Sequence, residues 1–160
     1  MKILGIDPGM AIVGYSVIEI VDKKSESVNL IASGSIQTDK KKNDSERLLE
    51  IYNDLEELVQ FYKPDCASVE ELFFFQNQKT VIPVAEARGV ILTVLEKFSI
   101  PIYNYTPMVV KQVLTGYGRA SKKEVEQMVK CILGTNDLPK LDDTVDSIAI
   151  AICHSRNLVN

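Results

Sequence analysis

Apolar positions at the start of the chain are broken almost at once by a carboxylate. Lys2 to Asp7 reads as a short buried strand, and Pro8-Gly9 then turns the chain, because proline holds φ while glycine admits positive φ. Ile12 to Val21 is rich in β-branched and aromatic residues, Asp22 to Ser27 is polar, and Val28 to Thr38 is a further extended run. Runs joined by such short polar links predict antiparallel strands. After a charged loop from Lys40 to Asp44, with Asp44 or Ser45 as N-cap, Leu48, Ile51, Tyr52, Leu55, Leu58, Val59 and Tyr62 recur at helical spacing until Lys63-Pro64. Cys66 to Val69 predicts the next strand, with Glu70 and Glu71 at its C-terminal end and a register that would bring Glu70 near Asp7. Ala85, Val90, Ile91, Val94, Leu95 and Phe98 mark a long helix closed by Ser99-Ile100-Pro101, and Ile102 to Tyr105 predicts the last strand. Pro107 opens a helix reaching about Leu114, Ser121 caps one from Lys122 to Leu133, and Leu141 to His154 forms the last.

This order predicts one α/β domain over residues 1–160, a mixed five-stranded sheet with helices on both faces, an order similar to that of the ribonuclease-H-like fold. At 160 residues and 46% hydrophobic, the chain buries one sizeable core. The longest apolar runs, such as Val90 to Leu95, fall far short of a bilayer span, so neither a signal peptide nor a membrane segment is expected. Cys66, Cys131 and Cys153 are odd in number, far apart and set in apolar surroundings, which suggests neither a disulfide framework nor a zinc site. The cytoplasm is the expected compartment.

The net charge of -4 runs against nucleic-acid binding until its distribution is considered. Residues 1–71 hold 8 Lys+Arg against 14 Asp+Glu, residues 72–135 hold 8 against 4, and residues 136–160 hold 2 against 4. A basic centre with Lys79, Arg88, Lys111, Arg119, Lys122 and Lys123 thus lies between acidic ends, as a phosphate-binding surface beside a carboxylate pocket would require.

Asp7 ends an apolar strand at a stiff turn, where a carboxylate is costly unless it binds something, while an Asp before Pro-Gly equally suits a turn residue bonded to its own backbone. Glu70 and Glu71 follow a buried strand directly; adjacent strand residues point to opposite faces, so at most one faces Asp7, and periodicity does not choose between them. Asp143 and Asp146 sit three apart at a helix start and share a face, while Asp142 suits the N-cap. Acidic residues there also stabilise the helix dipole, but Asp146 adjoins a small apolar run of packing character. Carboxylates gathered in one pocket repel, and hard divalent cations are the remedy: two Mg²⁺ ions roughly 3.5–4 Å apart, with Mn²⁺ as the substitute, would bracket a scissile phosphate. The sequence has neither a P-loop nor a Cys-His nucleophile, and its single histidine, His154, lies on the apolar terminal helix as a structural or surface residue. Phe73-Phe74-Phe75 cannot all face one core; an exposed ring beside such a site would stack on an unpaired base, whereas composition alone favours core packing for each.

Gly5-Ile6-Asp7-Pro8-Gly9 with Gly14-Tyr15, Val69-Glu70-Glu71-Leu72-Phe73, Glu86-Ala87-Arg88-Gly89, Val110-Lys111-Gln112 and Asp143-Thr144-Val145-Asp146-Ser147-Ile148-Ala149-Ile150-Ala151 together resemble the RuvC family, in order from Met1 to about His154. That resemblance implies a Holliday junction resolvase, a homodimer making paired symmetric nicks in a four-way DNA junction during recombination and repair, with RuvA and RuvB as partners. It implies Asp7, Glu70, Asp143 and Asp146 as catalytic, metal-binding carboxylates, choosing Glu70 over Glu71. It also implies Lys111 and Lys122 near the phosphates and Phe73 on a base at the junction centre. Arg119 and Lys123 add charge beyond the family's usual lysine and spread the phosphate grip.

Within the same fold, a YqgF-like nuclease acting on RNA shares the early Asp-x-Gly strand, but the Phe73 segment and Lys111-Gln112 favour RuvC. Actin-like ATPases and sugar kinases share Ile-Asp-x-Gly yet need two such domains and a second glycine-rich loop, which this chain lacks. A non-catalytic junction-binding protein would not need all of the carboxylates.

Overall fold

The computed structural model describes residues 1–22, 27–71 and 78–158. The expected elements form: β1 (Lys2–Asp7), β2 (Ile12–Asp22), β3 (Ser27–Gln37), α1 (Asp44–Tyr62), β4 (Cys66–Glu70), α2 (Gln78–Lys97), β5 (Ile102–Tyr105), α3 (Pro107–Thr115), α4 (Lys122–Leu133) and α5 (Asp142–Asn157). They build a five-stranded sheet of order β3-β2-β1-β4-β5. β2 pairs antiparallel with β1 and β3, while β4 runs parallel to β1 and β5, as crossovers through α1 and α2 require.

Strand alternation sorts the side chains between two cores. Leu4, Ile6, Val17, Ala67 and Val69 pack with Ile51 and Leu55 of α1 and Ile91, Val94 and Leu95 of α2. Ile3, Ile18 and Cys66 point the other way, onto Val110, Leu114, Val125, Val129 and the apolar run Ile148 to Cys153. Helices therefore cover both faces, as the sequence pattern implies.

Several local expectations need correction. Asn43, not Asp44 or Ser45, caps α1: its side chain accepts from Glu46 N at 3.0 Å while Glu46 Oε2 accepts from Asn43 N at 2.9 Å, a reciprocal capping box. Asp142 is not a cap either; the N-cap of α5 is Leu141, without a side-chain cap bond, which leaves Asp142 as the first helical residue. α2 begins at Gln78 rather than near Ala85 and carries Pro83 inside it, tolerating the loss of one backbone donor. Cys131 is exposed, unlike Cys66 and Cys153, and His154 is buried rather than on the surface. The aromatic run including Phe73, and residues 23–26 of the expected polar break, lie outside the described residues.

Candidate active site

The site forms where β1 and β4 end side by side. Their register pairs Ile3 with Cys66 and Gly5 with Ser68, so continuing by two residues on the same face reaches Asp7 and Glu70. Glu71 has the opposite parity; it is exposed, and its backbone N donates to Tyr105 O at 2.9 Å. Tertiary register thus makes the choice between the glutamates that periodicity leaves open.

α5 brings the remaining carboxylates, and glycines let it come close. A Cβ on Gly5 would lie 2.2 Å from Ser147 O, and one on Gly14, the cross-strand partner of Asp7, would lie 1.9 Å from Asp143 O. Only glycine accepts this backbone-to-backbone approach. Thr144 Oγ1 donates to Gly34 O at 3.1 Å, tying the first turn of α5 to β3 as well. Arg88 fixes the other wall: its Nε donates to Glu70 O at 3.2 Å and its guanidinium to Asn104 Oδ1 at 2.6 Å, clamping the ends of β4 and β5. The sequence shows Arg88 as one of the central cations and as part of the Glu86-Ala87-Arg88-Gly89 motif, but nothing local assigns it this clamping role.

Electrostatics follows from this crowding. Asp7 is 9% exposed, and burial raises its pKa; a shared hydrogen bond with Glu70 and the charges of Glu70, Asp146 and Asp143 push the same way. Glu70 is raised chiefly by burial, and Asp146 likewise, with Lys122 opposing the shift in both. The Lys122 ammonium lies 3.1 Å from Asp146 and 3.2 Å from Asp142. Beside them opens a cavity of about 200 Å³ lined by Glu70, Asp146, Lys111 and Lys122, with an apolar wall of Val110, Val125, Ala149 and Ile150.

The structure therefore brings Asp7, Glu70, Asp143 and Asp146 into mutual electrostatic reach and sets Lys111 and Lys122 at their edge. Arg119 and Lys123 are exposed and lie outside the cavity lining. Among the described residues no group of three His, Cys, Asp or Glu side chains is drawn close enough to cage an ion. The donor set nonetheless suits a hard cation. It consists of carboxylate oxygens, one of them buried at a cost that bound positive charge would relieve, and an ammonium already sits on its rim.

A mixed sheet of this order, with helices on both faces and acidic residues at the ends of its central strands, defines a ribonuclease-H-like domain. Residues 3–154 match the family model described as "Crossover junction endodeoxyribonuclease RuvC". The chain belongs to the RuvC family. It is 46% identical over 154 residues to a protein of that name from Caldicellulosiruptor saccharolyticus, covering 96% of this chain and 92% of that protein. A Petrotoga mobilis protein of the same name is 49% identical over 154 residues, covering 96% and 93%. Thermus thermophilus RuvC in complex with a Holliday junction substrate superposes with a TM-score of 0.92 at 32% identity, covering 99% of this chain and 94% of that one.

Proposed function

We propose that this protein is a crossover junction endodeoxyribonuclease that resolves Holliday junctions by symmetric paired nicking. The observation that carries the reading is the cluster of Asp7 and Glu70 at the ends of parallel strands with Asp143 and Asp146 from the start of α5, in a chain that matches junction-cutting relatives along nearly its whole length. A YqgF-like activity on RNA is not favoured.

Asp7, Glu70, Asp143 and Asp146 hold divalent cations, Mg²⁺ first and Mn²⁺ as substitute. What such ions supply when bound is acidification of an attacking water and neutralisation of charge on the leaving 3′ oxygen. The chain's own groups do the rest. Asp7 and Glu70, sharing a hydrogen bond, must both ionise to act as ligands. Lys111 and Lys122, on the cavity wall, hold the phosphate of the cut strand, and Arg119 and Lys123 extend that grip along the backbone. Phe73 supplies the ring for an unpaired base.

One such pocket cuts one strand, so two-fold cleavage requires a homodimer. α2 is the interface helix, which is consistent with Ile82 being 66% exposed and with open space at Gly89. RuvA and RuvB are the partner complex. No helix among the described residues is long and apolar enough to cross a membrane, in keeping with a cytoplasmic enzyme working on DNA.

A strand-labelled four-way junction incubated with and without Mg²⁺ tests the reading. Paired nicks in strands of like polarity, dependent on Mg²⁺, are expected, with structured RNA left intact. Equal nicking of linear duplex, or cleavage of the RNA alone, would overturn it.

A further inference from the structure

Lys122 starts α4, and its backbone position is set by a cap: Ser121 N donates to Glu124 Oε2 at 2.7 Å, and Ser121 Oγ accepts from Glu124 N at 3.3 Å. From that anchored position its flexible stem carries the ammonium to two carboxylates one turn apart on α5, Asp142 at 3.2 Å and Asp146 at 3.1 Å. The two differ in setting. The Asp146 side chain is 34% exposed and feels Asp143 as well as Lys122, whereas that of Asp142 is 75% exposed.

We propose that the Lys122 ammonium is the resident counter-ion of the acidic pocket, exchanged for a divalent cation at Asp146 and kept at the rim by Asp142; this rests on the reading of Asp7, Glu70, Asp143 and Asp146 as cation ligands. Asp146 lies within electrostatic reach of Asp7 and Glu70, and the ammonium 3.1 Å away offsets part of that like-charge repulsion while no divalent cation is bound. A lysine ammonium is a compact point charge on a four-carbon stem, so it neutralises a carboxylate yet is displaced without moving the backbone. An arriving cation that takes Asp146 removes one of the two ammonium contacts and leaves the other. Asp142 then holds the ammonium beside the Lys111-lined cavity, which is where an incoming phosphate needs it. Asp142 is in this way a positioning residue acting through Lys122, and its presence beside the ligands has a role that helix capping does not explain.

Calorimetric titration of the DNA-free protein with Mn²⁺ tests this, with melting curves confirming that each variant is folded. Lys122→Met keeps the stem and removes the charge, and it should bind Mn²⁺ about five- to tenfold tighter than the parent, the Coulomb scale of one charge at ion-pair distance under the water-like screening of a half-exposed side chain. Lys122→Arg should restore the parental affinity. Asp142→Asn should weaken Mn²⁺ binding, because the ammonium then stays on Asp146, and this weakening should vanish in the Lys122→Met background. Mn²⁺ affinity unchanged or lowered in Lys122→Met overturns the exchange. An Asp142→Asn effect that persists in the double variant shows a bare charge effect and overturns the positioning role. Both outcomes leave the ligand assignment standing provided that Asp7→Asn abolishes Mn²⁺ binding; if the parent does not bind Mn²⁺, or Asp7→Asn is without effect, the ligand assignment falls and the exchange with it.

Discussion

Each face of the sheet buries a hydrophobic cluster, but the two treat polar groups in opposite ways. The face under α1 and α2 is closed by Leu4, Ile6, Val17, Ile51, Leu55, Ile91 and Leu95, with no buried polar residue among those described. The face under α5 carries all of them: Asp7, Ser16 and Ser68 from the strands, and Thr144, Ser147, His154 and Ser155 from α5 itself. Some of these groups go unsatisfied. Ser16 Oγ, Ser68 Oγ and His154 Nε2 are buried without a hydrogen-bond partner among the described residues, which costs stability that an apolar face does not lose. One face secures the fold, and the other carries the acidic site at some cost to it.

The sharpest break of this comparison is Asp7→Asn. Removing one ligand charge should lower junction nicking by about a thousandfold or more, since bound cations contribute several kcal/mol to the transition state. Junction binding in metal-free buffer should survive, because the phosphate grip proposed for Lys111, Arg119, Lys122 and Lys123 does not need the cations. Single-turnover nicking and gel-shift titration measure the two effects. Should Asp142→Asn lose nicking while Asp7→Asn retains it, the ligand set named here is wrong.

The apolar face should respond in the opposite sense. Leu55 is fully buried, and Leu55→Ala should cost about 2–5 kcal/mol of stability in urea unfolding while leaving nicking per folded molecule unchanged. A loss of nicking at full folding would show that the two faces are coupled.

Gly14→Ala belongs to both categories. Its new Cβ would meet Asp143 O at 1.9 Å, so α5 must shift, at about 1–3 kcal/mol of stability. Because that shift moves Asp143, nicking measured well below the melting temperature should fall by roughly a hundredfold. Unimpaired nicking would mean that α5 is placed by other contacts.

The smallest effect concerns His154, whose ring stacks on Tyr103 at 4.2 Å and whose Nδ1 lies 2.8 Å from Tyr105 Oη. Burial lowers its pKa below the ordinary 6.5, so the unfolded chain takes up a proton before the folded one does. Its contribution to stability is present above about 6.5 and is lost as the pH falls towards the folded value, at no more than about 1.4 kcal/mol per pH unit. His154→Phe should flatten this slope in melting curves between neutral and mildly acidic pH, and an unchanged slope would place the titration elsewhere.

Element types, their order and the acidic positions were legible along the chain because each rests on local chemistry. Alternation marks a strand, a 3.6-residue period marks a helix, and Asp7 stands out as a carboxylate ending an apolar run. The cap of α1 was misplaced by a residue or two, since Asn43, Asp44 and Ser45 are all competent caps and only the reciprocal bond with Glu46 distinguishes them. What periodicity and local chemistry left open depends on groups far apart in the chain. Glu70 rather than Glu71 joins Asp7 because β4 pairs with β1 in one register. Asp142 holds Lys122 instead of capping α5 because α4 packs beside it, and Arg88 serves Glu70 because α2 passes the end of β4. Local sequence determines which backbone each segment adopts, whereas the partner of a charged side chain is decided by whichever distant group the packed elements bring within reach, and only the tertiary structure contains that distance.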